Sequence, residues 1–378
     1  MTIQNSLWRP VLSCAGFAVA AGLAAAGALS GQVQVAVQGK QPSVRALASS
    51  ADDSGGIQGP VLGYVFDSRS QGIQPIQGIP GASRMGGLMA LGVRFAVAEI
   101  SPRQDYALGV EAASGELRLV ELGVPNPAAR PVAGGMSGAD RIVLSAGGDS
   151  AAVYDRDSRT VQLLTGLPKA PKSNGQLELS ALPGILTALA VNDRGDALLA
   201  AVSDRDSGSL YALAIGGQPR LVSPVTRVTA VRFLHNSNDA VAADYDANEV
   251  LLIRNVLTNP EPRVIASARD GVQRPVAVAS SPDNQRIFAA NPEPGAVAVI
   301  SPNGGAPQLI ACDCRATELS AVRGGSMFRL SSATNGPIML LDASGAEARV
   351  LFIPPAEGES ETPVAEPVVP RGPRGRVR

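Results

Sequence analysis

Apolar residues along this chain fall in short runs of about four to eight, each closed by Gly, Pro, Asn, Asp or Ser. The stretch Arg274–Ser301 shows the unit most plainly. Pro275–Ala279 is followed by a Ser-Ser-Pro-Asp-Asn turn, Arg286–Ala290 by an Asn-Pro-Glu-Pro-Gly turn, and Ala296–Ile300 completes it. Such runs read as strands of an antiparallel meander. No segment keeps the 3.6-residue apolar spacing of a helix. The chain is therefore expected to be all-β.

The unit recurs. A turn after a first strand stands at Ser101, Ser145, Asn192, His235, Ser281 and Arg323. A third strand begins at Ile73, Leu117, Val161, Leu210, Val250, Val297 and Ile338. Differences between successive positions run from 42 to 47 in the first series and from 40 to 49 in the second. A period in the forties with four strands per unit is that of a β-propeller blade. The first strand has six copies and the third has seven, because 61–78 matches 151–166 and has no first strand before it. The ring removes exposed edges only by closing. Seven blades with an incomplete first one are expected, and six blades plus an extra hairpin are the alternative. Alternation along 61–67 places Leu62, Tyr64 and Phe66 on one face.

One blade carries a family resemblance. Pro275-Val276-Ala277-Val278, then Ser281-Pro282-Asp283, then Arg286-Ile287-Phe288-Ala289-Ala290-Asn291 resembles the YVTN-type propeller repeat. Asn284 stands where that repeat has a turn glycine, and Phe288 where it has tyrosine. Weaker echoes are Asn192-Asp193-Arg194-Gly195 and Ser101-Pro102-Arg103-Gln104. The resemblance implies a propeller, and its motif residues fix strands and turns without carrying a reaction.

The ends are different text. Val11–Leu29 is apolar or small throughout and follows Arg9, with small-residue cleavage patterns near Ala28. Residues 1–30 read as a signal peptide. The run is long enough for the competing reading, an uncleaved anchor. Residues 31–58 read as a flexible linker and 59–356 as the propeller. Residues 357–378 hold four Glu, then four Arg among prolines, and read as a disordered tail. Localisation is expected to be periplasmic or extracellular, with no membrane span after cleavage.

Composition narrows the chemistry. Net charge is -1 and aromatics are 3%, with the single tryptophan, Trp8, in the leader. A nucleic-acid surface wants a basic stripe with aromatics, and sugar or quinone platforms want flat rings. Neither is expected, and no cofactor is called for. Without the leader only Cys312 and Cys314 remain. Export points to a local disulfide between them, with free thiols or a metal site as alternatives. His235, the one histidine, falls in a turn. Any Ser-His-Asp centre would depend on it, and no Gly-x-Ser-x-Gly elbow exists to meet it. Asp155/Asp157, Asp204/Asp206 and Asp244/Asp246 follow second strands in three consecutive blades. Calcium would need six to eight oxygens, whereas Asp in turns commonly bonds its own backbone. Turn chemistry is the reading kept, and no metal site is assigned.

The functional expectation is a monomeric exported binding or protein-interaction module. Its partner would be a protein or envelope component, not nucleic acid, and no catalytic centre is discernible. The alternatives are a lactonase-like hydrolase using carboxylates at the central channel and a structural envelope-associated protein. Inward carboxylates clustered at a channel mouth would separate the hydrolase from the binder.

Overall fold

The computed structural model describes residues 59–205, 207–331, 337–345 and 347–355. The leader, the linker, the C-terminal tail and Asp206 lie outside them. The described chain is a seven-bladed β-propeller of seven antiparallel sheets. Six sheets have four strands each, in sequence order from the inner strand at the channel to the outer one. Inner strands are Phe95–Ile100, Arg141–Leu144, Ile185–Val191, Val228–Phe233, Ala277–Ser280 and Ser320–Arg323. The turn anchors read from the sequence follow these strands, apart from Arg323, which ends its own. The third-strand anchors lie at or within two residues of the observed starts.

The second strands explain how the blades stack. Ser150–Asp155, Ala197–Ser203, Ala240–Asp244 and Ile287–Asn291 are buried almost without a break. A sheet covered on both faces loses its apolar–polar alternation and reads as a continuous apolar run. Small residues let neighbouring blades approach: Ala151, Ala152, Ala200, Ala201, Ala242, Ala243, Ala289 and Ala290 are at most 1% exposed. The core is accordingly a set of clusters between adjacent blades. One joins Leu199 and Leu210 of blade 4 to Val231 and Phe233 of blade 5. Another brings the Phe288 and Phe328 rings of blades 6 and 7 to 4.8 Å between centroids.

Blade 1 has three strands, β1 (Val61–Asp67), β2 (Gly72–Ile79) and β3 (Ala82–Met85). By sequence β1 corresponds to a second strand, for it ends on Asp67 as two of the others end on Asp155 and Asp244. In position it is the channel-side strand, touching the inner strands of blades 2 and 7. Tyr64 and Phe66 pack against the cluster of Phe95, Ala107 and Val120 in blade 2. Leu62 departs from the expected alternation. A register shift between Val61 and Gly63 turns it to the other face, beside Val65, Val322 and Met327 of the blade 7 seam. Gly63 also permits the close approach of blade 7, since a Cβ there would lie 2.7 Å from Val322 Cγ1 and 2.8 Å from Val322 O.

A side chain closes this seam. Gln104, in the blade 2 turn, accepts from Tyr64 N at 2.5 Å and donates through Nε2 to Ala321 O of blade 7 at 2.7 Å. Its amide does the work of a peptide group. Gln104→Ala leaves both backbone groups unpaired. Denaturant unfolding should show it about 1–3 kcal/mol less stable than wild type, the cost of orphaned polar groups. Gln104→Glu should recover only part of that, because a carboxylate accepts from Tyr64 but cannot donate to Ala321.

Candidate channel-mouth site

The turns from inner to second strand share one local construction. Ser101, Ser145, Asn192 and Ser281 open them, and all four are at most 2% exposed. Their side-chain oxygens accept from N–H groups four or five residues on: Asp105 at 3.1 Å, Ser150 at 3.3 Å, Asp196 at 3.1 Å and Arg286 at 3.0 Å. The chain then passes through a left-handed residue: Gln104 (φ 63), Gly148 (φ 73), Gly195 (φ 65) or Asn284 (φ 56). Glycine takes such angles without strain and Asn more readily than most.

These turns are tied to one another round the mouth of the channel. Arg103 of blade 2 donates to Asp149 Oδ1 at 2.8 Å and to Gly148 O at 3.0 Å in blade 3. Gly147 N donates to Asp193 Oδ1 of blade 4 at 2.6 Å, and Asn236 N of blade 5 to Asp193 Oδ2 at 2.7 Å. His235 N donates to Asn284 Oδ1 at 3.0 Å, and Asn284 Nδ2 returns to His235 O at 2.9 Å. The blade 7 turn abuts blade 6, where a Cβ on Gly325 would lie 2.7 Å from Pro282 Cγ. Gln104 links blade 7 back to blade 2. The result is a collar, hydrogen-bonded from blade 2 to blade 6 and completed by packing at blade 7.

Inside the collar lies a small mouth, partly open to solvent, with about 60 Å³ of space for water. Ile100, Leu144, Phe233, Ala279, Leu319 and Phe328 give it apolar walls, and Glu99, Arg232, His235 and Ser320 are polar. Glu99 is reached by solvent in the lumen, yet protein surrounds it. That burial is the largest influence on its carboxyl and pushes it up to about 7, against the pull of Arg232 and Arg329 and with a push from Glu318. Burial lowers the Arg232 guanidinium, and Glu99 opposes the shift. Burial also lowers His235. Arg329 pairs with Glu318 at 2.9 Å, while its Nε and Nη1 and the Glu318 Oε1 are buried without partners.

The residues singled out in the sequence do not converge. His235 is a turn residue as expected, with its side chain at the mouth. Asp155 accepts from Asp157 N at 3.0 Å and Ser158 Oγ at 2.6 Å. Asp204 accepts from Arg205 N at 2.8 Å, and Asp244 from Thr226 N at 2.7 Å. Asp246 pairs with Arg227 at 2.9 Å. These turns follow second strands, so they lie on the face opposite the collar. Among the described residues no three of His, Cys, Asp or Glu gather as a metal site would require. Cys312 and Cys314 follow the outer strand Gln308–Ala311, with Cα atoms 5.1 Å apart and sulfurs 2.28 Å apart. Sequence reasoning missed Glu99 and Arg232. The signal was present: each is a lone charge two residues before Ser101 or Leu234, where other inner strands have Val143, Ala190 and Ala279.

No protein-family model and no curated protein matches the chain. Solved structures do. A functionally unknown protein from Desulfotomaculum acetoxidans DSM 771 aligns with a TM-score of 0.51 at 13% identity, over 78% of this chain and 99% of that one. The hydrazine synthase of Kuenenia stuttgartiensis aligns with a TM-score of 0.50 at 10% identity, over 80% and 99%. At such identities the likeness concerns the fold.

The raised Glu99 carboxyl has a consequence for stability. The folded state holds this proton more tightly than the unfolded chain, so the group's contribution is full at low pH and is lost as pH rises through about 7. Glu99→Gln should match wild type in thermal midpoint near pH 5 and exceed it at pH 8. Midpoints measured across that range check the sign.

Proposed function

We propose that this chain is an exported propeller of the YVTN-repeat kind that works as a binding module, engaging a protein or envelope component through its collar face. The single observation that carries the reading is the collar. Turns from five blades are cross-linked, with the blade 7 turn packed against them, into a preorganised rim around a concave mouth, and a preorganised surface loses little freedom on binding. The rim also carries side chains free to contact a partner, among them exposed Arg194, Pro282, Asp283 and Arg323. Glu99 is the one carboxylate among the described residues lining the mouth. A hydrolase of the lactonase kind would want several.

The test is retention of a saturable partner from the envelope fraction of the source cells. Wild type should retain one, and Arg194→Glu combined with Arg323→Glu should weaken it at least tenfold. Substitutions of Asp155 and Asp157 on the opposite face should leave it unchanged. Indifference to the collar substitutions would sink the reading. Export belongs to the same proposal, with cleavage between Leu29 and Gly31 and oxidation of Cys312 and Cys314. The intact mass of the exported protein should begin there and be two hydrogens lighter than the dithiol. A Met1 start or full maleimide labelling without reductant would contradict it.

A further inference from the structure

Glu99 and Arg232 occupy equivalent places in the inner strands of blades 2 and 5. Three positions apart in a ring of seven, they stand nearly opposite across the lumen. Among the described residues Arg232 makes no hydrogen bond and no ion pair within 4.0 Å. The neighbouring Arg329 already has Glu318. One guanidinium thus stands in a walled, largely apolar lumen without a counter-charge in contact. Arg232 is half-buried at this partly open mouth, so its donors are only partly solvated and face an anion that enters.

We propose that the channel mouth is a binding site for a small monocarboxylate, its two oxygens held by the Arg232 fork with Glu99 facing it from the other wall. The inference rests on the collar's being a binding face and names what the mouth inside it takes. A guanidinium presents paired N–H donors whose spacing matches a carboxylate. Leu144, Ala279, Leu319 and Phe328 suit a short hydrocarbon chain behind the carboxylate. A tetrahedral phosphate dianion would bring two charges to one free guanidinium and meets no such complement. The groups facing Glu99 are Arg232, Arg329 and Glu318. His235 also lines the mouth and, lowered by burial, adds no full charge at neutral pH. While Glu99 is neutral it can donate a hydrogen bond to the bound carboxylate. Once ionised it repels it. Binding is therefore coupled to one proton, and the affinity falls as pH rises through about 7.

Calorimetric titration of the full chain with sodium butyrate, ionic strength held constant with chloride, tests the site. Wild type should bind one equivalent at pH 6. Above pH 7 its affinity should fall by up to about tenfold per pH unit, the limit for one linked proton. Glu99→Gln should bind with an affinity that does not change between pH 6 and 8. Arg232→Gln should lose at least tenfold and Arg232→Lys less, and inorganic phosphate should displace butyrate poorly. Equal binding by wild type and Arg232→Gln, no saturable binding, or a pH profile unaltered in Glu99→Gln would overturn the proposal. The pH profiles of wild type and Glu99→Gln decide the matter even if the Arg232 variants fold poorly. Retention of an envelope partner by a protein that ignores butyrate would overturn this inference and leave the collar reading standing.

Discussion

Six blades present their own inner strand to the channel. The ring closes at the first blade because a glutamine side chain takes the place of a peptide group. Propeller sheets are covered on both faces, so their stability comes from neighbours, and a missing strand leaves backbone groups unpaired and side chains bare. Gln104 bridges Tyr64 N to Ala321 O, Gly63 lets Val322 move in, and Tyr64 and Phe66 cover the flank of blade 2. Each of these devices depends on the others. Without the glycine blade 7 could not approach, and without the glutamine the approach would bury two orphaned polar groups.

The same closure organises the collar. Arg103 and Gln104 are neighbours in one turn, the first reaching forward to blade 3 and the second back to blades 7 and 1. The turn that seals the ring is also the first link of the rim round the mouth. Outer strands repeat the forward reach: Arg130 donates to Pro168 O, Arg220 to Val256 O, and Arg263 to Pro302 O, each in the following blade. Blades are thus stitched at both radii. Glu99 and Arg232 stand on inner strands that this stitching fixes three blades apart.

Much of the fold was legible because it rests on local rules. Strands read as short apolar runs, turns as the Gly, Pro, Asn, Asp and Ser that close them, and the period followed from the spacing of both. The mismatch of six first strands with seven third strands located the incomplete blade. Two things were not legible. The register shift at Gly63 reverses the facing of Leu62, and nothing local distinguishes that glycine from one that merely loosens a strand. The mouth site also escaped notice, because Glu99 and Arg232 are 133 residues apart (232 − 99) and become partners only through ring closure. The charge in each inner strand was visible, but its counterpart was not.

Blade 1 is an integral member of the ring. The most direct measurement of this is gel filtration together with thermal unfolding of a chain lacking residues 59–85. Loss of the monomer and of a cooperative transition is expected, since the deletion strips the cover from Phe95 and Ala107 on one side and from Val322 and Met327 on the other. A monomer with an unchanged midpoint would mean that six blades close on their own, and would contradict it.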